Sequence, residues 1–353
     1  IHDEVTQSEI SSMFTDFNLV KQIQNNLSDR GFVTPTPIQD QSINHILAGK
    51  DLLGLANTGT GKTAAFLLPL INKCYLDKNQ KVLIIAPTRE LAQQIESEFR
   101  KFSQGMNLYS VVCVGGLPIY RQINILKRNP NFVIGTPGRL KDLKNRGEIS
   151  FKRYQNIVLD EIDRMLDMGF VEEIKLILSE LPETRQSLFF SATMPPKIND
   201  LVRSFLNNPV TIQVTTGVTA KNIDQDIVRA NDYEKFDKLK DLLIAKELQK
   251  VLIFSETKRQ VDKLTDDLTR DGFSAGSIHG DKRQAQRQKA LDKFKRNELQ
   301  ILVATDVAAR GLDIQNVTHV INYTVPQTYD DYIHRIGRTG RGSNKGTALT
   351  FVN

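Results

Sequence analysis

Short runs of apolar residues alternate with amphipathic stretches along most of this chain. The stretches between the runs, such as Leu91–Phe102 and Glu172–Leu181, repeat apolar positions with helical spacing. Apolar strands separated by helices are typical of a parallel sheet that helices cover on both faces. The first half therefore predicts an α/β fold with strands at 82–86, 132–134, 157–159 and 188–190.

A polar stretch with Gly217 and several threonines interrupts this alternation. The pattern then starts again, with strand-like runs at 251–254, 275–278, 301–304 and 317–323 and helical stretches at 258–270 and 285–295. We interpret 214–222 as a linker between two α/β domains, residues 1–213 and 223–353. Each domain would hold its own parallel sheet flanked by helices.

Composition adds weaker constraints. The 353 residues, of which 40% are hydrophobic, suffice for two cores, and the formal charge of +6 favours a polyanionic partner only modestly. Cys74 and Cys113 lie in apolar surroundings without metal-ligand spacing, which predicts buried thiols in a reducing compartment. No apolar run approaches the ~20 residues of a membrane span, and no leader is recognisable, so we expect a cytoplasmic protein. Without an initiator Met, we also expect missing tails, which could bind protein partners.

The segment Ala56–Thr63 is a candidate phosphate cradle, because it joins an apolar strand, Leu52–Ala56, to the helical run Ala64–Ile71. Glycines let backbone N–H groups approach phosphate oxygens, Lys62 supplies charge for the β and γ groups, and the Thr63 hydroxyl can join a Mg²⁺ shell. Ala56 stands where the common pattern has its first glycine. The alternative is an ordinary glycine-rich turn.

Two acids follow the apolar strand Ile157–Leu159. Asp160 would hold Mg²⁺ through water, since that ion keeps much of its hydration shell, and Glu161 would orient or deprotonate the attacking water. A helix N-terminus also attracts acids, which is the alternative for either residue alone. Together with the phosphate cradle, the pair predicts hydrolysis of a nucleoside triphosphate.

The segment Gly31–Gln39 offers a means of recognising a base. Phe32 could stack on a purine, and the Gln39 amide could donate to and accept from adenine at once. The alternative is a proline-stiffened loop that starts a helix.

These residues resemble, in order from about Phe14 to the end of the chain, the motifs of the DEAD-box RNA helicases of helicase superfamily 2. In the first half the matching segments are Gly31–Gln39 (Q motif, with Phe14 as its upstream aromatic), Ala56–Thr63 (I), Pro87–Leu91 (Ia), Gly115-Gly116, Thr136–Arg139 (Ib), Asp160–Asp163 (II) and Ser191–Thr193 (III). In the second half they are Val251–Thr257 (IV), Gln284 with Arg287 (IVa), Thr305–Asp313 (V and Va) and His334–Arg341 (VI).

The resemblance implies two tandem RecA-like domains, ATP and Mg²⁺ as cofactors, and roles for individual residues. Residues implied to bind nucleotide are Phe14, Phe32, Pro37, Gln39, Thr58, Gly59, Thr60, Gly61, Lys62, Thr63, Asp313, Arg338 and Arg341, with Thr63 and Asp160 at the metal. Catalysis is implied for Lys62, Asp160, Glu161 and the arginine fingers Arg338 and Arg341, whose spacing we place on one helical face. A solvated basic helix end is the alternative for these arginines. Coupling between domains is implied for Asp163, Ser191, Thr193 and His334.

The same resemblance implies that RNA lies across both domains and is held mainly by its phosphates, so that little sequence is recognised. The implied contacts are Pro87, Thr88, Arg89, Gly116, Thr136, Gly138, Arg139, Gly280, Gln284, Thr305 and Asp306. Two positions depart from the family. Asn57 replaces the usual Gln of motif I, and Ile162 replaces the Ala of motif II. We expect the Ile162 side chain to point into the core, by alternation after the buried strand.

The sequence thus predicts an ATP-dependent RNA helicase that opens short duplexes by ATP-driven domain closure. A DNA-directed translocase of the same superfamily is one alternative. The other is an RNA clamp that uses ATP only to lock onto RNA.

Overall fold

The computed structural model describes residues 12–214, 223–244, 248–309, 314, 317–340 and 345–353. The chain divides into two compact units, residues 1–216 and 217–353. Most of the predicted linker, residues 215–222, lies outside the described residues, so its role stays a prediction. Val214 belongs to the first unit, because its N–H donates to the carbonyl of Leu55 at 2.9 Å and its side chain joins that unit's core.

The first unit is a seven-stranded parallel sheet with helices on both faces. Its strands are β1 (Leu52–Leu55), β2 (Val82–Ile85), β3 (Ser110–Cys113), β4 (Phe132–Gly135), β5 (Asn156–Leu159), β6 (Gln186–Ser191) and β7 (Val210–Gln213). Its α-helices are α1 (Lys21–Ser28), α2 (Pro37–Leu47), α3 (Lys62–Leu76), α4 (Arg89–Phe102), α5 (Ile119–Leu126), α6 (Pro137–Asn145), α7 (Ile162–Asp167), α8 (Val171–Ser179) and α9 (Pro196–Phe205). Single 3₁₀ turns lie at Phe14–Asp16 and Phe151–Arg153.

The second unit is a six-stranded parallel sheet, also flanked by helices. Its strands are β8 (Ile223–Arg229), β9 (Val251–Phe254), β10 (Ala275–Ile278), β11 (Ile301–Ala304), β12 (His319–Asn322) and β13 (Gly346–Val352). Its helices are α10 (Lys235–Ile244), α11 (Lys258–Arg270), α12 (Gln284–Lys295), α13 (Asp306–Ala309) and α14 (Tyr329–Ile336). The α/β fold predicted for each half is confirmed.

Each sheet separates two hydrophobic cores, and this explains the continuous apolar runs. In β2, Val82 and Ile84 pack into the core on one face, while Leu83 and Ile85 pack into the other. Alternate residues of a strand point to opposite faces, so a strand covered on both sides must be apolar throughout. Both cysteines are buried and free, as predicted, and no described helix is long and apolar enough to cross a membrane.

Strand order places the motifs. The first sheet runs β3-β4-β2-β5-β6-β1-β7 and the second β10-β11-β9-β12-β13-β8, with every pair parallel. Because all strands of a sheet point the same way, the loops that follow them collect at one edge. Ligands of open α/β sheets bind at this carboxyl edge.

Candidate nucleotide and RNA sites

The phosphate loop joins β1 to α3, and two of its glycines have backbone conformations that favour glycine. Gly59 and Gly61 have φ values of 83° and 94°, and Gly61 is the residue that caps α3. A Cβ on Gly61 would lie 2.4 Å from Nε2 of Gln39, so only glycine fits there. Ala56 instead continues β1, its N–H donating to the carbonyl of Ser191 at 3.0 Å, which explains why a glycine is not needed there.

Lys62 lies at the first position of α3 and is 6% exposed. Its Nζ donates to the carbonyl of Ala56 at 2.9 Å and lies 3.9 Å from Oδ1 of Asp160. The ammonium group is therefore held between the start of the loop and the first acid of motif II. A helix N-terminus together with this charge forms a site for phosphate groups.

The Q-motif segment is tied to the same loop through Gln39, which is 4% exposed. The Gln39 amide oxygen accepts from the N–H of Thr36 at 2.9 Å, and its Nε2 donates to the carbonyl of Gly61 at 3.0 Å. An amide has two donors and two acceptor lone pairs, so each end can make a second bond. The Thr36 hydroxyl is buried against Gly61 with no hydrogen-bond partner among the described residues, which fits a site that receives a polar ligand.

The two aromatic residues predicted to bind nucleotide differ in exposure. Phe32 is 38% exposed, whereas Phe14 is buried in the core. Their rings meet edge to face at 6.1 Å, and Phe32 also packs on Phe102 at 5.7 Å. Phe14 therefore supports Phe32, which is the aromatic that presents its surface to solvent. A direct contact of Phe14 with a base stays a prediction.

The acids of motif II follow β5, next to β6 and one strand away from β1. Asp160 is 2% exposed, and burial raises its pKa to about 6, although the nearby Lys62 ammonium favours the charged form. Glu161 adopts a left-handed backbone conformation, with φ 54° and ψ 53°, which is unusual for a residue other than glycine. Its Oε1 accepts from the hydroxyl of Thr58 at 3.2 Å, and its Oε2 lies 3.4 Å from NH1 of Arg164.

Such backbone strain costs on the order of 1–3 kcal/mol and persists where surrounding structure enforces it, often at functional sites. Here the strain turns Glu161 toward the phosphate loop while the chain begins α7 at Ile162. Arg164 is 4% exposed, and its contact with Glu161, which the sequence did not predict, makes it part of the site.

We expect Asp160→Asn to stabilise the nucleotide-free protein at pH 7 by about 1–3 kcal/mol while it abolishes turnover. A raised pKa means that Asp160 binds more protons in the folded state than in the unfolded state between about pH 4 and pH 6, so its contribution to the free energy of unfolding falls as pH rises through that range. Denaturant unfolding at pH 7 and pH 4 measures the difference, which should shrink at pH 4. A variant less stable than wild type at pH 7 would show that attraction to Lys62 outweighs burial.

The side chain of Ile162 is fully buried in the core that also contains Met165 and Leu159, so its predicted direction is confirmed. The reason given for it is wrong. Ile162 is the first residue of α7 and not a strand residue, so helix geometry and not strand alternation sets its direction.

Ile162→Ala should lower the free energy of unfolding by about 2–5 kcal/mol, because it leaves a cavity in a packed core. The control is Ile125→Ala, an isoleucine that is 40% exposed and should change stability by about 0.5 kcal/mol or less. ATPase activity should fall less than after any change of Asp160, Glu161 or Asp163. Equal unfolding curves for wild type and Ile162→Ala would contradict the packing argument.

Motif III is joined to motif II by the side chain of Asp163. Its Oδ2 accepts from the N–H groups of Ala192 at 3.2 Å and Thr193 at 3.0 Å, and from the Thr193 hydroxyl at 3.0 Å. The hydroxyl of Ser191 donates to the carbonyl of Thr193 at 2.7 Å. The structure thus brings together Asp163, Ser191 and Thr193, and any shift of the loop after β5 must move the loop after β6.

The RNA positions predicted in the first unit follow β2, β3 and β4 at the same edge. Thr88 caps α4, its hydroxyl accepting from the N–H of Leu91 at 3.3 Å. Gly116 has φ 75°, and a Cβ on it would lie 2.1 Å from NH1 of Arg89. The remaining predicted contacts are at the loop before α4 and the first turn of α6, namely Pro87, Thr136, Gly138 and Arg139.

A buried amide that sequence reasoning missed connects these loops. Gln122 is 5% exposed, its Nε2 donates to the carbonyl of Val114 at 3.0 Å, and its Oε1 accepts from NH1 of Arg139 at 3.0 Å. Nothing in the local sequence distinguishes it from an ordinary polar residue of a helix.

In the second unit, Asp306 makes an ion pair that the sequence did not predict. Its two carboxylate oxygens accept from Nε and NH2 of Arg335 at 2.6 and 2.7 Å. Arg335 is 3% exposed and also donates to the carbonyl of Thr324 at 2.6 Å and to Oδ1 of Asn322 at 3.2 Å. This pair links motif V to motif VI, so Asp306 has a structural role alongside its predicted RNA contact.

The other predicted residues of the second unit are placed as follows. Thr305 follows β11, Gly280 follows β10, and Gln284 begins α12. Arg338 donates from Nε to the carbonyl of His334 at 3.3 Å. The helical-face argument is wrong for Arg338, because α14 ends at Ile336 and Arg338 lies in the turn that follows. Asp313 and Arg341 lie outside the described residues.

Comparisons with known proteins agree with this geometry. Residues 36–201 match the model of the DEAD/DEAH box helicase family, and residues 234–343 match that of the helicase conserved C-terminal domain. The chain is 46% identical over 341 residues to the ATP-dependent RNA helicase CshA of Limosilactobacillus reuteri, covering 96% of this chain and 69% of that protein. The DEAD-box ATP-dependent RNA helicase CshA of Bacillus subtilis gives the same four values.

Solved structures are also similar. Saccharomyces cerevisiae Dbp5 bound to RNA and ADP-BeF₃ matches with a TM-score of 0.86 and 29% identity, over 96% of this chain and 89% of that one. A DEAD box protein from Methanococcus jannaschii matches with a TM-score of 0.57 and 40% identity, over 97% and 93%. The two parallel sheets are those of tandem RecA-like domains. With motifs I, II and III assembled at one sheet edge and both family models matched, the chain belongs to the DEAD/DEAH box helicases, among the DEAD-box ATP-dependent RNA helicases.

Proposed function

We propose that this protein hydrolyses ATP when it binds RNA and uses that cycle to open short RNA duplexes locally. The observation that carries the proposal is the carboxyl edge of the first sheet. One part of that edge presents Lys62, Asp160 and Glu161 around the phosphate loop, and the other presents Arg89, Gly116 and the loops of motif Ib. A single edge therefore offers a site for a triphosphate and a site for a phosphate backbone.

Each residue has a definite task in the proposed reaction. Lys62 neutralises the β- and γ-phosphates, and the N–H groups at the start of α3 donate to their oxygens. Glu161 accepts a proton from the attacking water or orients it, since its strained backbone directs the carboxylate toward the loop. Arg338 and Arg341 supply the positive charge that stabilises the transferring group, so the reaction requires the two domains to close around ATP.

The donor set of the first unit fits Mg²⁺. Asp160 follows β5, and Thr63 lies in the first turn of α3. The Asp160 carboxylate and the Thr63 hydroxyl offer hard oxygen ligands beside the place proposed for the phosphates. The described residues contain no cluster of three His, Cys, Asp or Glu that could hold a metal. Mg²⁺ typically takes one or two protein oxygens and completes its shell with water and substrate phosphates. The bound ion would neutralise charge on the β- and γ-oxygens.

In the first unit, RNA phosphates would be bound by backbone N–H groups at Gly116 and Thr136 and by the guanidinium of Arg139. In the second unit they would be bound by Gly280, Gln284 and Thr305. These groups contact the backbone and not the base edges, so we expect little sequence preference. Contacts with 2′-hydroxyls would separate RNA from DNA.

Steady-state ATPase activity with single-stranded RNA, with DNA of the same sequence and with neither tests the proposal. RNA should stimulate turnover several-fold and DNA should not, with Glu161→Gln as the inactive control. Equal stimulation by both would favour the DNA translocase. Tight ATP-dependent RNA binding with slow phosphate release and no strand separation would favour the RNA clamp.

Base choice provides a separate prediction. ATP should be hydrolysed in preference to GTP, as measured by the ratio of the two kcat/KM values. Gln39→Ala should lower the free energy of discrimination that this ratio gives by roughly 1–3 kcal/mol, the typical size of a bidentate contact. Gln39 also donates to the carbonyl of Gly61, so Gln39→Ala should weaken the binding of both ATP and GTP. This common effect cancels in the ratio. A wild type indifferent between ATP and GTP would contradict the assignment.

A further inference from the structure

A solvent-exposed tyrosine lies beside the loop proposed to bind RNA phosphates. Tyr120 is 58% exposed and is the second residue of α5, the helix that begins directly after the Gly115-Gly116 turn. Because α5 follows a parallel strand, its first turn lies at the carboxyl edge of the sheet. Neither the family motifs nor the proposed phosphate contacts use this residue.

The Gly115-Gly116 turn, which precedes α5, is held by contacts from three side chains. The guanidinium of Arg89 packs under Gly116. Gln122 donates to the carbonyl of Val114, and Arg139 donates to the carbonyl of Leu117 at 3.4 Å. The backbone that carries the ring is therefore ordered by contacts to α4 and α6.

Helix geometry directs the ring away from the core. Ile119 and Ile123 pack against the core on the inner side of α5, and Gln122 is also buried there. Successive residues of an α-helix are about 100° apart, so Tyr120 lies about 200° from Gln122, on the opposite side. More than half of the Tyr120 side chain is therefore open to solvent and could contact a planar ligand.

The charge around the ring fits a polyanion. The guanidinium of Arg121 lies 5.9 Å from the centre of the Tyr120 ring. Residues 114–130 contain three basic residues and no acidic residue. Aromatic rings within positively charged surfaces bind single-stranded nucleic acid by stacking on bases while cations contact the backbone.

We propose that Tyr120 stacks on an unpaired base of the bound RNA, adjacent to the phosphates that the Gly116 turn contacts. The inference rests on the proposed RNA binding and adds to it a contact that tolerates any base, because every base has a π-face. An RNA partner is favoured over a protein partner for two reasons. Tyr120 lies next to the loops proposed to bind phosphates, and residues 114–130 contain no carboxylate side chain.

The test compares three variants in binding of a fluorescently labelled single-stranded RNA in the presence of ATP analogue. Tyr120→Ala should raise Kd about 5- to 150-fold, which corresponds to the range measured for loss of one base–aromatic stack. Tyr120→Phe keeps the ring and should remain within about twofold of wild type on the same scale. Tyr109→Ala is the matched control, because Tyr109 is 65% exposed and directly precedes β3. It therefore lies at the amino end of the strands, away from the carboxyl edge that carries the proposed RNA contacts. Tyr109→Ala should bind like wild type.

RNAs with a single abasic nucleotide then locate the contact. One abasic position should weaken wild type as much as Tyr120→Ala does, and should cost Tyr120→Ala nothing further. Tyr120→Ala should leave the slope of log Kd against log salt unchanged, whereas Arg121→Ala should reduce it by about 1. Thermal unfolding midpoints establish that each variant is folded.

The inference would be overturned if Tyr120→Ala bound RNA as tightly as wild type. It would also be overturned if the substitution weakened binding by the same factor wherever the abasic nucleotide was placed. Either result would leave the proposed function standing. A wild type that binds no RNA would instead overturn the proposed function, and the inference with it.

Discussion

Glu161→Gln should lower kcat for ATP by about 10²–10⁴-fold, the usual contribution of a general base, while ATP and RNA remain bound. The substitution preserves the shape of the side chain and its contact with the Thr58 hydroxyl but removes the carboxylate that we propose as the proton acceptor. ATP should therefore persist in a closed complex with RNA, measurable as slow release of labelled RNA in excess ATP.

Lys62→Ala should abolish turnover by a different route. Its ammonium group holds the start of the phosphate loop, and in the proposed mechanism it supplies charge for the phosphates, so the variant should lose nucleotide affinity first. The control for both variants is Glu172→Gln, whose side chain is 82% exposed in the same unit and should behave as wild type. Wild-type turnover in Glu161→Gln would refute its assignment as the base.

Arg338→Ala should lower kcat by about 10³–10⁵-fold, the effect of removing an arginine finger in other phosphoryl-transfer enzymes. The phosphate loop belongs entirely to the first unit, so binding of ATP to that unit should change little. The expected signature is a fall in kcat much larger than the change in nucleotide affinity.

Arg296→Ala is the matched control for that experiment. Its side chain is 64% exposed in the same unit and pairs with Glu298 at the surface, so its loss should not alter turnover. An unchanged kcat for Arg338→Ala at saturating ATP and RNA would show that Arg338 has no catalytic role.

Most central strands were predictable from sequence because they are covered on both faces, which leaves continuous apolar runs such as Val82–Ile85 and Val251–Phe254. Of the four edge strands, β10 was predicted, whereas β3, β7 and β8 were not. The second sheet ends in β8, whose sequence is polar and whose residues are mostly exposed, and the first ends in β3 and β7, which are only partly buried. A strand with one neighbour and a solvated side carries no continuous hydrophobic signal.

The sequence by itself determined the local chemistry of the sites. Glycines at positions 59 and 61, the following lysine and the acids after β5 each act through their own side chain or backbone, so a short segment suffices to identify them. The tertiary structure decided how these groups are held. Asp306 pairs with Arg335, 29 residues later, and Gln122 joins loops after two different strands. Such contacts depend on strand order, because parallel strands bring loops that are distant in sequence to one edge, and no local pattern records which loops will meet.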